Sequence, residues 1–220
     1  MVDVFINGQE GRLESRFLPP RTPKHPVVVL LHPHPKQGGQ MDNAVIQAMC
    51  CAFHELGFGT LRFNFRGVGR SQGEFGDSDG ELNDAASVVD WLQSSQRIAY
   101  RIWISGFSYG AWIAMQLLMR RPEIEGFVVA SLPAHAFDFS FLAPCPVSGQ
   151  ILYGENDPII PVESMRSLVS RLNSQKSVYV DYQVIPGADH SFTGKLEELK
   201  GVMTAYLQRA LEKDPLLAAS

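Results

Sequence analysis

The sequence of 220 residues has only three cysteines and no long apolar run, and these absences exclude several classes of protein. Three cysteines without regular spacing give neither a disulfide framework nor a set of zinc ligands, so we expect buried free thiols. Apolar runs such as Val27–Leu31 are far shorter than the roughly 18 residues that a membrane-spanning helix needs. The first residues show no basic stretch followed by an apolar one, so no secretory signal is predicted. We therefore expect a cytoplasmic protein without a membrane partner.

The sequence also lacks an excess of charge of either sign. Its 19 lysines and arginines stand against 23 aspartates and glutamates, and the basic residues are scattered along the chain. Nucleic acids and anionic membranes bind clustered basic side chains, so neither is an expected partner. Internal repeats and low-complexity tracts are absent as well. The length suits a single domain over residues 1–220.

What the sequence does contain is an alternation of strand and helix patterns. Strands are predicted at residues 27–31, 60–65, 101–105, 126–130, 150–153 and 178–185. Helices are predicted between and after them, at residues 42–56, 81–92, 111–120, 161–172 and 195–211. This alternation predicts an α/β fold, with a mostly parallel sheet between two layers of helices. A hairpin at residues 2–7 and 12–18 adds an antiparallel edge and brings the sheet to about eight strands.

One turn between a strand and a helix carries the pattern G-x-S-x-G, as GFSYG at residues 106–110. Such a turn exposes the serine hydroxyl on a sharp bend, and its glycines avoid collisions with the backbone. The pattern occurs twice more, around Ser71 and Ser78, but one copy lacks the following helix and the other lacks the preceding strand. Only Ser108 has both neighbours, so we predict that it is a nucleophile.

A serine nucleophile needs a general base, and four histidines follow strands at the carboxyl edge of the predicted sheet. His32 and His34 precede the serine in the chain, whereas enzymes of this architecture order the triad as nucleophile, acid, histidine. His190 follows the last strand and is the predicted base. His135 remains as the alternative.

The acid of the predicted triad has two candidates. Asp157 follows a strand directly and lies between Ser108 and His190 in chain order. A carboxylate in this role fixes the imidazole tautomer and stabilises the imidazolium that forms during the reaction. Asp138 also follows a strand at this edge and is the rival. Asp189, adjacent to the histidine, is expected to form a turn instead.

Two N–H donors are needed for the negative charge that develops on the substrate oxygen. One is the main-chain N–H of Tyr109, which follows the nucleophile at the start of a helix. The other should come from the HPHP loop after Val27–Leu31, where the two prolines have no N–H and the main chain of His34 is left. The alternative for this loop is a metal site on His32 and His34, but no further ligand cluster accompanies the pair. No metal or other cofactor is expected.

Four segments together resemble the α/β-hydrolase superfamily and, within it, a compact bacterial group similar to serine esterases and dienelactone hydrolases. These segments are LLHPHPKQGGQMDN, LRFNFRGVGRSQGEF, GFSYGAW and PGADHSF. The resemblance covers about residues 30–192 and implies the α/β-hydrolase fold with a triad at Ser108, Asp157 and His190. It is compatible with a homodimer and supplies no substrate. The segment at residues 131–146 is too short for a substantial helical lid, so we expect an open cleft.

These inferences predict a serine hydrolase that cleaves a carboxylic ester or thioester of a small acyl substrate through an acyl-enzyme. A peptidase or amidase of the same fold, and a binding module without catalysis, remain as alternatives. The arginine-containing segment at residues 62–69 would be either an anion site or a loop held by arginine hydrogen bonds. Phe137, Phe139 and Phe141 would either line an acyl pocket or pack in the core.

Overall fold

The structure is a computed structural model that describes residues 1–94, 100–142, 144–174 and 178–218. Its strands are β1 Val2–Gly8, β2 Gly11–Leu18, β3 Val27–Leu31, β4 Gly59–Phe63, β5 Ile102–Phe107, β6 Ile124–Ala130, β7 Gly149–Gly154 and β8 Val180–Ile185. Its helices are α1 Ala44–Glu55, α2 Asp79–Ser94, α3 Tyr109–Arg120, α4 Val162–Asn173, α5 Leu196–Glu212 and α6 Pro215–Ala218. Short 3₁₀ turns lie at Pro35–Gln37 and Ser140–Leu142. None of the helices within these ranges is both long and apolar enough to cross a membrane.

All eight strands form one sheet, in the order β1-β2-β4-β3-β5-β6-β7-β8. Strands β1 and β2 pair antiparallel at one edge, and β2 pairs antiparallel with β4. The six strands from β4 to β8 in this order are parallel to one another. The predicted eight-stranded, mostly parallel sheet with an edge hairpin is confirmed. Strand β5, which leads to Ser108, therefore lies inside the parallel part of the sheet.

Side chains alternate between two apolar layers because successive residues of a strand point to opposite faces. In β3, Val27, Val29 and Leu31 belong to the apolar layer that also contains residues of α2, α3 and α4, whereas Val28 and Leu30 belong to the layer that contains residues of α1 and α5. All five residues are fully buried. This explains why the strand is continuously apolar rather than alternating. The three-layer architecture is confirmed.

Strand β4 ends two residues earlier than the pattern of residues 60–65 predicts. The main chain leaves the sheet because side chains replace its partners: the N–H of Phe65 donates to His32 Nε2 at 3.1 Å, and Ser71 Oγ donates to the carbonyl of Asn64 at 2.7 Å. Helix α3 begins at Tyr109 rather than at residue 111, directly after the serine. Cys51 is exposed on α1, contrary to the expectation of buried thiols, while Cys50 and Cys145 are buried.

The predicted absence of a lid is confirmed for the described part of residues 131–146. This part contains no secondary structure beyond the 3₁₀ turn at Ser140–Leu142. The carboxyl edge of the sheet is therefore not covered by an inserted helix.

The arginine-containing segment after β4 is held by internal ion pairs. Arg66 is buried, and its Nη2 donates to Asp84 Oδ1 at 2.8 Å while its Nε and main-chain N–H donate to Oδ2. Its Nη1 lies 2.7 Å from Glu10 Oε1. Arg62 Nη1 donates to the carbonyl of Met41. These bonds agree with the alternative of a loop held by arginine hydrogen bonds, because the guanidinium of Arg66 is already satisfied by carboxylates.

We predict that Asp84→Ala lowers the free energy of unfolding by about 3–5 kcal/mol, because it leaves the buried Arg66 guanidinium without its main partner. Urea unfolding followed by circular dichroism measures this. Glu163→Ala is the control, since Glu163 pairs with Arg166 on the surface and should contribute less than about 1 kcal/mol. Equal effects of the two substitutions would contradict the prediction.

Candidate active site

Ser108 occupies a strained bend between β5 and α3. Its φ of 55° and ψ of −118° lie in a region that non-glycine residues rarely adopt. The bend is held because the Ser108 N–H donates to the carbonyl of Ala130 at 3.0 Å. A Cβ at Gly110 would collide with the carbonyl oxygens of Leu31 and His32, so glycine is required there. The half-buried serine hydroxyl thus stands at the carboxyl edge of the sheet, as predicted.

The serines of the other two G-x-S-x-G copies, Ser71 and Ser78, do not lie on a bend between a strand and a helix. Ser71 is buried and accepts a hydrogen bond from the N–H of Glu14 at 2.9 Å. Ser78 lies just before α2 with a φ of 90°. Neither stands between a strand and a helix, which agrees with the prediction from the sequence.

The three residues of the predicted triad are joined by hydrogen bonds through His190. Its Nε2 lies 3.1 Å from Ser108 Oγ, and its Nδ1 lies 2.8 Å from Asp157 Oδ2. The three side chains follow β5, β7 and β8, and a chain separation of 82 residues divides the serine from the histidine. The carboxylate selects the tautomer with hydrogen on Nδ1, which leaves the Nε2 lone pair to accept the serine proton.

The Asp157 carboxylate is arranged to remain ionised. Its side chain is fully buried, and its Oδ1 accepts from the N–H groups of Ile159 at 2.8 Å and Ile160 at 3.0 Å. Burial raises the pKa of this carboxyl, but the hydrogen bonds from His190 and from the two N–H groups together outweigh it and hold the pKa below its ordinary value. A charged acceptor therefore faces the imidazole.

The rival residues of the triad lie elsewhere. Asp138 is exposed, and its carboxylate accepts from the N–H and hydroxyl of Ser140. Asp189 accepts from the N–H groups two and four residues further along the chain, as expected of a turn-forming aspartate. His135 is exposed on the segment after β6. The structure therefore pairs His190 with Asp157 and not with these aspartates.

A further residue holds the histidine loop and could not be recognised from the sequence. Ser131, the first residue after β6, is fully buried, and its Oγ donates to the carbonyl of His190 at 2.9 Å. Its φ of 49° is also unusual for a side chain other than glycine. Serines after strands are common in turns, so only the folded chain reveals this contact.

The two predicted oxyanion donors are neighbours. The rings of His34 and Tyr109 lie 4.7 Å apart, and the backbone of the loop after β3 packs directly on Gly110. Within the described part of the chain, no protein group accepts a hydrogen bond from the main-chain N–H of either residue. Both N–H groups are therefore free to bind a developing oxyanion.

His32 is a structural residue of the same loop. It is fully buried, its Nδ1 lies 2.7 Å from the carbonyl of Pro33, and its Nε2 accepts from the N–H of Phe65. Burial lowers the pKa of this imidazole to about 4, so it is neutral at physiological pH. Because backbone groups occupy both ring nitrogens, His32 has none left for the metal site considered as an alternative.

A buried carboxylate beside the cleft was also missed by the sequence analysis. Glu81, in the first turn of α2, accepts from the N–H groups of Gly76 at 2.9 Å and Ser78 at 2.8 Å and from the Tyr109 hydroxyl at 3.2 Å. The helix N-terminus favours its negative charge. Burial, followed by the charge of Glu81, raises the pKa of Tyr109. The carboxylate thus ties the loop before α2 to the residue after the nucleophile.

A cleft of about 220 Å³ borders His34 and Tyr109, the two residues predicted to donate to the oxyanion. Its lining residues are His34, Lys36, Phe75, Asp77, Ser78, Tyr109, Trp112 and Phe137. Of the three phenylalanines singled out in the sequence, Phe137 lines this cleft, whereas Phe139 is buried and Phe141 packs against the core. Phe139 and Phe141 therefore agree with the alternative of core packing, whereas Phe137 remains a candidate for an acyl pocket.

The mostly parallel sheet, the strained serine bend and the histidine paired with a carboxylate define an α/β hydrolase of the serine type. The family model of the X-Pro dipeptidyl-peptidases (S15 family) matches residues 10–156, which is about two thirds of the chain. The protein belongs to this family.

A curated relative and two solved structures are similar to the protein over most of the chain. An uncharacterised protein of Rickettsia prowazekii is 46% identical over 211 residues, which cover 94% of this chain and 89% of the relative. A crystal structure from Agrobacterium tumefaciens, of a protein of unknown function described as a candidate α/β hydrolase, superposes with a TM-score of 0.93 at 47% identity and covers 97% and 98% of the two chains. An α/β serine hydrolase without a lid from Xanthomonas campestris has a TM-score of 0.85 at 28% identity and covers 97% and 96%.

We predict that acid destabilises the protein through His32. Between pH 6.5 and about 4 the His32 imidazole is protonated in the unfolded chain but stays neutral in the folded protein. The free energy of unfolding therefore falls as the pH is lowered. His32→Asn retains a donor and an acceptor but does not titrate. The difference in unfolding free energy between wild type and variant should therefore shift by about 3 kcal/mol in favour of the variant from pH 7 to pH 4. Urea unfolding at both pH values measures it, and a constant difference would refute the prediction.

Proposed function

We propose that this protein hydrolyses carboxylic esters, with thioesters as the related substrates, through an acyl-enzyme on Ser108. The observation that carries the proposal is the pair of hydrogen bonds that joins Ser108 Oγ to His190 Nε2 and His190 Nδ1 to Asp157. A serine activated by a neighbouring base is suited to attack acyl carbonyl groups. The lidless serine hydrolase from Xanthomonas campestris, which aligns over 97% of this chain, supports the same class of reaction.

In the proposed mechanism, Ser108 Oγ attacks the carbonyl carbon while His190 Nε2 takes the hydroxyl proton. The N–H groups of Tyr109 and His34 bind the oxyanion, and each such donor typically stabilises the transition state by about 2.7–4 kcal/mol. The imidazolium, stabilised by Asp157, gives its proton to the leaving alcohol oxygen as the carbon–oxygen bond breaks. Water then loses a proton to His190, attacks the acyl-enzyme and releases the acid, and the proton returns to Ser108.

Peptide-bond hydrolysis is the second candidate, because the matching family model is that of X-Pro dipeptidyl-peptidases. The same triad would cleave an amide, with His190 protonating the leaving amine. The arginine-containing segment at residues 62–69 does not support this reading, since the Arg66 guanidinium binds Asp84 and Glu10 rather than facing the cleft. Comparing hydrolysis of glycyl-prolyl p-nitroanilide with that of p-nitrophenyl acetate distinguishes the two candidates. A dimer and a cytoplasmic location remain predictions.

We predict that a fluorophosphonate probe labels wild-type protein stoichiometrically and does not label Ser108→Ala. The probe forms a covalent bond only with a serine whose proton can be removed, so it reports activation without knowledge of the substrate. Ser140→Ala is the control, because it removes an exposed serine hydroxyl that donates to Asp138 and leaves the three residues of the triad in place. Folded wild-type protein that remains unlabelled would instead support a binding module without catalysis.

We also predict that Asp157→Asn lowers kcat for p-nitrophenyl acetate by about 10⁴-fold, because an amide no longer selects the correct imidazole tautomer. Circular dichroism should show that the variant is folded. Asp138→Asn is the matched control and should retain wild-type turnover. If Asp138→Asn caused the greater loss, the acid role of Asp157 would be wrong.

A further inference from the structure

The order of strands divides the surroundings of Ser108 into two sides. Strands β3 and β4 lie on one side of β5, and β6, β7 and β8 lie on the other. His190 and Asp157 follow β8 and β7, so the base approaches the serine from the second side. In the proposed mechanism the imidazolium gives its proton to the leaving oxygen, which must therefore lie near His190.

The aromatic cleft lies on the opposite side. Its residues come mainly from the loops after β3 and β4 and from the start of α3, with Phe137 contributed by the segment after β6. At the tetrahedral carbon, one bond joins Ser108 Oγ, one joins the oxyanion and one joins the leaving group beside His190. The fourth substituent is the rest of the acyl group. It points away from His190, toward this cleft.

Flat aromatic surfaces form the walls and floor of the cleft. Trp112 and Phe137 are stacked, with centroids 3.8 Å apart and planes 15° apart. On the other wall, His34 and Phe75 lie 5.1 Å apart at 33°. Tyr109 is buried between the two pairs, with its ring centre 4.7 to 6.4 Å from each of the four rings. Aromatic side chains in such arrangements favour stacking or edge contacts with another ring.

The size and charge of the cleft restrict what it can hold. Its volume of about 220 Å³ exceeds the roughly 150 Å³ of an apolar cavity that binds benzene, and it is small for a long acyl chain. At the mouth, Lys36 Nζ lies 4.5 Å from the Phe75 ring centre and 3.8 Å from Asp77 Oδ1. The two opposite charges offset each other, so the entrance favours no strongly charged acyl group.

We infer that the cleft bordered by Trp112, Phe137 and Tyr109 is the acyl-binding site and that it selects acyl groups carrying a single aromatic ring. The inference rests on the proposed hydrolase function. Phe137 and Trp112 are thereby specificity-determining residues.

Two isomeric esters test this assignment. Methyl phenylacetate carries its ring on the acyl side, and benzyl acetate carries the same ring on the alcohol side. We expect kcat/KM, normalised to the rate of alkaline hydrolysis of each ester, to be at least roughly tenfold higher for methyl phenylacetate. A higher value for benzyl acetate, or equal values, would overturn the inference, as would a still higher value for methyl decanoate.

Substitution of one wall provides the second arm of the test. Phe137→Ala should lower kcat/KM for methyl phenylacetate by roughly tenfold and leave benzyl acetate nearly unchanged. Phe141→Ala is the matched control, since Phe141 lies on the same segment, is partly buried and does not line the cleft. Equal losses in both variants, or for both esters, would show that the ring does not occupy this cleft.

Fluorophosphonate labelling separates failure of this inference from failure of the proposed function. If Ser108 is labelled in every variant but the ester preference is absent, the acyl-site assignment is wrong and the hydrolase remains. If folded wild-type protein is not labelled at all, the hydrolase proposal itself is wrong, and the acyl-site assignment is overturned with it.

Discussion

The strained backbone at Ser108 is the constraint on which the rest of the site depends. A non-glycine residue at a φ of 55° costs about 1–3 kcal/mol, and the surrounding structure must hold it there. Two contacts do so: the hydrogen bond to the carbonyl of Ala130 and the close approach of Gly110 to the loop after β3. The same approach packs the loop that carries His34 against the start of α3, where Tyr109 follows the serine. One packing contact therefore positions both the serine bend and the two residues predicted to donate to the oxyanion.

Polar groups around this bend are satisfied by main-chain partners, and this gives the edge of the sheet its shape. His32 binds a carbonyl with one nitrogen and an N–H with the other, and Glu81 accepts two N–H groups and a hydroxyl. A buried polar group without such partners would cost several kcal/mol, so each of these side chains fixes the loop that it binds. The buried pair of Arg66 and Asp84 acts in the same way on the segment after β4.

The sequence was sufficient for the fold and for the residues that meet at the nucleophile, because both follow from order along the chain. Continuous apolar runs such as Val27–Leu31 mark strands covered on both faces, and the chain order of Ser108, Asp157 and His190 follows from the topology of the sheet. Ser131 and Glu81 could not be found in this way, since their roles depend on contacts across 59 and 28 residues. The end of β4 was misplaced for the same reason: its apolar pattern continues to Phe65, but side chains of distant segments take over its hydrogen bonds.

Strand β5 lies between two groups of strands, and the loops that follow these two groups place different kinds of side chain around Ser108. The proposed proton transfer lies on the side of β7 and β8, where Asp157 is buried with its carboxylate ionised and His190 is only 15% exposed. The side of β3 and β4 contributes aromatic rings that bury apolar surface, which requires no proton movement. Because different loops build most of the two sides, the proposed acyl preference can change through residues such as Phe75, in the loop after β4, without disturbing the triad. A lidless α/β hydrolase can thus keep one reaction and vary its substrate, which is the property expected when function resides in a site carried by a common fold.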